Sequence, residues 1–83
     1  MYKIEFTDDA LKQLKKLERN IQARILATLE RIRVRPEHFL TKLVSDPAYK
    51  LRIWDYRLLV DMDKERLMVL VIRIGYRKNV YER

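Results

Sequence analysis

Polar and apolar residues alternate at the start of the chain, with Tyr2, Ile4 and Phe6 on one side and Lys3 and Glu5 on the other. That period of two predicts a half-buried strand over 2–6. The period then lengthens. Ala10, Leu11, Leu14 and Leu17 recur at helical spacing, with Lys12, Lys15, Lys16 and Glu18 on the wet side, so a helix is predicted over 8–19. Thr7 stands where an N-cap belongs, and Asp8 and Asp9 meet the positive end of the helix dipole. Asn20 reads as a break. A second stripe, Ile21, Ile25, Leu29 and Ile32 with Leu26 beside it, carries a second helix to about Val34. Pro36 ends it, because proline cannot continue a helix and disfavours helical geometry at Arg35.

Residues 35–48 hold both prolines, Pro36 and Pro47, and read as a loop, with Phe39, Leu40, Leu43 and Val44 expected to tuck against the core. Alternation resumes at Tyr49–Ile53, with Lys50 and Arg52 on one face and Tyr49, Leu51 and Ile53 on the other. Trp54-Asp55 is a short turn, Tyr56–Met62 the next strand, and Asp63-Lys64-Glu65-Arg66 a polar hairpin loop. Leu67–Ile74 is a β-branched-rich strand, expected to be central and to be interrupted by Gly75. A last short strand around Asn79–Glu82 is possible. The order is β-α-α-β-β-β, with the extra strand optional. Helices followed by a run of strands indicate an α+β domain: an N-terminal strand, an αα-hairpin, and an antiparallel β-meander covered by the helices on one face.

A length of 83 residues supports a single domain, 1–83. There is no cysteine, so neither a disulfide nor a thiol nucleophile is available, which fits a reducing compartment. No stretch approaches the roughly 20 apolar residues of a membrane-spanning helix, and Met1–Phe6 lacks the apolar core of an export signal. The expectation is a cytoplasmic protein without membrane contact.

Charge changes the picture most. Lys and Arg number 19 against 12 acidic residues, a formal net charge of +7. From Arg66 onward the only acid is Glu82. Such a bias points to a polyanionic partner. If the helices cover one face of the sheet, Lys50 and Arg52 share the other, and Arg57, just past a tight turn, faces back toward them. Arg77 and Lys78 follow the long strand, with Tyr76 and Tyr81 close by in sequence and Trp54 at the turn. Arg forks bind phosphate oxygens in pairs, and aromatic rings stack on unpaired bases. Solvated strand charges are the plainer explanation for any one of these residues; the convergence of the set favours RNA.

Other chemistry finds little support. His38, the one histidine, lies in a loop and reads as a surface or packed residue. One histidine without cysteine builds no metal site, and one glycine builds no phosphate-cradling loop. Asp61 and Asp63 have no spacing that supports a two-carboxylate site. No metal and no cofactor are expected.

In order and spacing these segments resemble the RelE toxins of the RelE/ParE toxin superfamily. The likeness spans nearly the whole chain. It runs through the Tyr2–Phe6 strand with Ala10-Leu11-Lys12-Gln13-Leu14, Pro36, Lys42-Leu43, Tyr49-Lys50-Leu51-Arg52, Asp55-Tyr56-Arg57, Ile74-Gly75-Tyr76-Arg77 and Val80-Tyr81. The resemblance implies the microbial-ribonuclease-like RelE fold and a type II toxin: a ribosome-dependent endonuclease that cuts mRNA in the A site. In such enzymes the substrate's own 2′-hydroxyl is the nucleophile, and the product ends in a 2′,3′-cyclic phosphate. The resemblance assigns catalytic roles to Lys50, Arg57, Arg77 and Tyr81, and an RNA-backbone role to Arg52. Tyr76 and Lys78 join the RNA-binding set. Some relatives carry two lysines on the catalytic strand; here Lys50 is followed by Arg52. The implied partners are a cognate RelB-like antitoxin, mRNA and the ribosome. A ParE-like inhibitor of DNA gyrase and a non-catalytic RNA-binding module are the alternatives on the same scaffold.

Overall fold

A computed structural model describes residues 1–44 and 46–76. The elements run β1 (Lys3–Phe6), α1 (Asp8–Lys15), α2 (Arg19–Ile32), a 3₁₀ turn (Pro36–His38), β2 (Thr41–Lys42), β3 (Tyr49–Ile53), β4 (Tyr56–Asp63) and β5 (Met68–Tyr76). The strands form one sheet in the order β1-β5-β4-β3-β2. β2 to β5 pair antiparallel, and β1 lies parallel to β5, an arrangement made possible by the intervening helices. The α+β order expected from the sequence is observed, with one further strand, β2, between the helices and the meander.

Two boundaries differ from the sequence pattern for identifiable reasons. The break between the helices falls at Lys16–Glu18 rather than at Asn20. Glu18 is extended there (φ −61°, ψ 150°), and the Gln22 side chain donates to the carbonyl of Leu17 at 2.7 Å, satisfying an acceptor that the end of α1 leaves open. Gly75 does not interrupt β5; it pairs with Arg57 within the ladder. The two-residue strand β2 was not legible, since Thr41-Lys42 shows no alternation of its own. The short strand expected at Asn79–Glu82 lies outside the described residues.

The core fills the space between helices and sheet. Ala10 and Leu14 of α1 and Ile25, Leu29 and Ile32 of α2 pack on Leu51, Ile53, Leu58, Val60, Val69, Val71 and Ile74. Burying side chains of this size contributes roughly 1.5–3 kcal/mol each. Of the loop residues expected against the core, Leu40 is buried and Leu43 half-buried, whereas Val44 is fully exposed and Phe39 is 45% exposed. Backbone N–H groups of Phe39 and Leu40 both bond to the Pro36 carbonyl, which turns Leu40 inward and leaves Phe39 outside.

An irregularity in β5 decides what the opposite sheet face carries. Leu59 pairs with Arg73 but Val60 pairs with Val71, so Ile72 is an extra residue in the ladder. The bulge reverses the alternation: Val69 and Val71 face the helices, and beyond it Ile74 does. β1 stops pairing with β5 at Val71, so the next backbone groups need other partners. The Thr7 hydroxyl donates to the Ile72 carbonyl at 2.8 Å, and the Gln13 side-chain oxygen accepts from the Ile74 N–H at 2.7 Å. Thr7 also accepts from the Ala10 N–H at 3.1 Å, so one hydroxyl caps α1 and braces the bulge.

Candidate RNA-binding cleft

The sheet face turned away from the helices carries the cations. In the β3–β4 ladder Arg52 stands opposite Arg57, and Lys50 opposite Leu59. Thr41 of β2 extends the second row on one side and Arg73 of β5 on the other. Lys50 and Arg52 are exposed because Leu51 and Ile53, one step out of phase, take the core positions. A cleft of about 400 Å³ opens over this face, lined by Phe39, Thr41, Lys50, Arg52 and Arg57. Its size is typical of small-ligand sites.

Backbone geometry aims Arg57. The β3–β4 connection is a two-residue turn whose first residue, Trp54, has φ 53°. Positive φ at this position matches the right-handed twist of the strands but favours glycine; a larger residue gives up roughly 1–2 kcal/mol. In that turn the Trp54 carbonyl receives the Arg57 Nη1 at 3.0 Å, and the Tyr56 carbonyl receives the same nitrogen at 3.1 Å. Among the described residues Nε and Nη2 of Arg57 make no hydrogen bond, so part of the guanidinium fork faces an incoming anion. The Trp54 ring is held from the helix side, with the Arg24 guanidinium 5.0 Å from its centroid.

Among the described residues no carboxylate lines the cleft or pairs with its cations. The ion pairs among the described residues are Lys3–Glu5, Glu30–Arg33 and Asp63–Arg66, none of which includes Lys50, Arg52 or Arg57. Like charges directly opposite in a ladder are unfavourable by some tenths of a kcal/mol. Cations that no described carboxylate pairs with suit a phosphate backbone.

The structure therefore brings together Lys50, Arg52 and Arg57 of the residues singled out from the sequence. Tyr76 is not among them. It pairs with Tyr56 in the ladder and meets it edge-on, ring centroids 5.5 Å apart, on the face shared with Leu58 and Ile74. Trp54 likewise turns toward α2. Arg77, Lys78 and Tyr81 lie outside the described residues.

Sequence reasoning missed Thr41, which lines the cleft from a strand too short to read, and two further contributors. Phe39 lines the cleft, where it was expected in the core. Arg73 shares the cationic face, on a diagonal from Arg57, because of the bulge. Simple alternation from Val69 and Val71 sends Arg73 toward the helices; its being the only charge between Leu67 and Tyr76 was the available signal. No cluster of metal-ligating side chains occurs among the described residues, and no helix is long and apolar enough to cross a membrane.

Comparison with known proteins adds the family. Residues 4–81 match the model for the ParE toxin of the type II toxin–antitoxin system parDE. The chain belongs to the RelE/ParE toxin superfamily. Solved structures agree with that membership. The RelBE2 toxin–antitoxin complex from Mycobacterium tuberculosis contains a chain 26% identical to this toxin, with a TM-score of 0.84 over 92% of this chain and 98% of that one. The isolated RelE toxin of E. coli is 27% identical, with a TM-score of 0.80 over 98% of this chain and 89% of that one. An archaeal RelE–RelB complex from Pyrococcus horikoshii, at 19% identity and a TM-score of 0.77 over 95% of this chain and 98% of that one, shares the fold. No curated protein matches the sequence. The protein is thus a toxin of the type II class, with a cleft lined by Lys50, Arg52 and Arg57 and, among the described residues, by no carboxylate.

Proposed function

We propose that this toxin is a ribosome-dependent endoribonuclease that cuts mRNA in the ribosomal A site. The observation that carries the reading is the convergence of Lys50, Arg52 and Arg57 on one sheet face with no carboxylate against them among the described residues. In the reaction the 2′-oxygen of one nucleotide attacks the adjacent phosphorus as its proton leaves. The bond from phosphorus to the 5′-oxygen breaks, and that oxygen takes up a proton. The products are a 2′,3′-cyclic phosphate and a 5′-hydroxyl. Because the substrate supplies the nucleophile, the protein needs only to orient the strand, offset the charge of the phosphorane and move protons.

Arginine is not deprotonated in proteins, so among the cleft cations proton acceptance falls to Lys50. Arg57, held by two carbonyls with part of its fork open, stabilises the phosphorane. Arg52 holds the backbone beside it. By resemblance, Arg77 serves the leaving oxygen as an electrostatic clamp, Tyr81 stacks on the base, and Lys78 contacts the RNA. The solved relatives include RelB-bound toxins, and we assign a RelB-like antitoxin as the neutralising partner.

The test is incubation of the free toxin with translating ribosomes and mapping of message ends. Codon-phased cuts with cyclic-phosphate termini, lost in Lys50→Ala and Arg57→Ala, are expected. Intact messages overturn the reading. The description of the matching family favours a second reading, a ParE-like inhibitor of DNA gyrase. It wins if DNA breaks accumulate in toxin-producing cells while messages stay whole.

A further inference from the structure

We infer that Phe39 is a nucleobase-stacking platform, so that the cleft holds a base as well as phosphates; this rests on the RNA-cleaving function proposed above. The ring is the one aromatic side chain among the five residues that line the cleft, beside Lys50, Arg52 and Arg57. It is 45% exposed, although its neighbours Pro36 and Leu40 are buried. Its backbone is fixed: the Phe39 N–H bonds to the Pro36 carbonyl at 2.9 Å and the Leu40 N–H to the same carbonyl at 3.0 Å. From Leu40 the chain enters β2, where Thr41 pairs with Lys50. The phenyl ring therefore projects from a rigid turn, one short strand away from the proposed proton acceptor.

Arg31 of α2 brings its guanidinium to 6.0 Å from the ring centroid. That contact limits the ring's freedom and lowers the entropy lost when a second flat group stacks on it. An apolar plane beside cations that form no ion pair among the described residues matches a nucleotide in both parts: the cations take the phosphates, and the plane takes the base. An acidic protein segment would use the cations and leave the ring without a flat partner. Any of the four bases can occupy such a plane, because each has a π-face. Phe39 thus contributes affinity and register, with little sequence preference of its own.

The experiment uses full-length toxin and ribosomes programmed with a message whose A-site codon carries 2′-O-methyl groups, so that it binds and is not cut. A parallel set of messages replaces each A-site nucleotide in turn with an abasic one. Phe39→Ala is expected to weaken binding roughly 5- to 150-fold, the range of one lost base stack. Phe39→Tyr and Phe39→Trp are expected to restore it. One abasic position is expected to erase the difference between parent and Phe39→Ala. Unchanged folding of the alanine variant is checked by its thermal midpoint. Equal binding by parent and Phe39→Ala overturns the inference. So does a loss of the same size at every abasic position, or a loss seen only toward a partner protein. A parent toxin that leaves unmodified messages whole on the ribosome overturns the underlying function instead, and that outcome is read in a separate tube.

Discussion

Arg52 and Arg57 face each other across the β3–β4 ladder as a registered pair of like charges. No ion pair among the described residues includes either of them, so the ladder carries a repulsion that a bound anion would relieve. Directly opposed like charges cost up to about 1 kcal/mol. Arg52→Gln is therefore expected to raise the unfolding free energy of the free toxin by roughly 0.2–1 kcal/mol and to weaken RNA binding. Denaturant titration and a binding isotherm on the same preparation check both signs. A variant that is less stable than the parent contradicts the repulsion.

Lys50 is exposed, so its removal leaves the fold nearly untouched, within about 0.5 kcal/mol. Lys50→Ala is expected to slow message cleavage on ribosomes by roughly 10²- to 10⁴-fold, the usual worth of a proton-transfer group. Arg57→Ala removes charge stabilisation and is expected to cost about 10²- to 10³-fold. Single-turnover cleavage at saturating toxin separates these effects from binding. Full activity in either variant removes that residue from the chemistry.

Each cation that contacts phosphate releases counterions. For single strands the logarithm of the binding constant falls by about 0.7 per phosphate contact for each tenfold rise in salt. Alanine at Lys50 or Arg52 is expected to flatten the slope of RNA binding by about that amount. Phe39→Ala is expected to lower affinity with the slope unchanged. Titrations at several salt concentrations distinguish the two behaviours.

The bulge in β5 depends on side chains from the other end of the chain. Gln13→Ala leaves the Ile74 N–H without its acceptor, a loss of roughly 1–3 kcal/mol. For a domain of this size each kcal/mol lowers the melting midpoint by about 4–8 °C. Gln13→Glu keeps an acceptor oxygen and is expected to recover most of the loss. Thr7→Ser keeps both hydroxyl contacts and is expected to behave like the parent, whereas Thr7→Val loses the cap and the brace together. Calorimetry of the series tests the assignment, and a Gln13→Ala midpoint equal to the parent's sinks it.

What the chain disclosed unaided was local in origin. Period-two and helical spacing are properties of neighbouring residues, so the opening strand, the two helices and the three meander strands could be read from spacing. Lys50 and Arg52 share a face by parity alone, and the two-residue turn after Ile53 turns Arg57 back to them. Thr7 was legible as a cap because its signal lies within four residues. Tertiary structure decided the rest, because those features join residues far apart. The parallel docking of β1 on β5 ends at Val71, and only there do Thr7 and Gln13 become necessary to the strand. The bulge they hold sets the direction of Arg73 against the alternation of its own strand. Phe39 stays outside because the Pro36 carbonyl, bonded twice, commits Leu40 to the core. An apolar residue's sequence records that burial suits it; which of two adjacent apolar residues is buried follows from the one inward direction that the folded backbone allows.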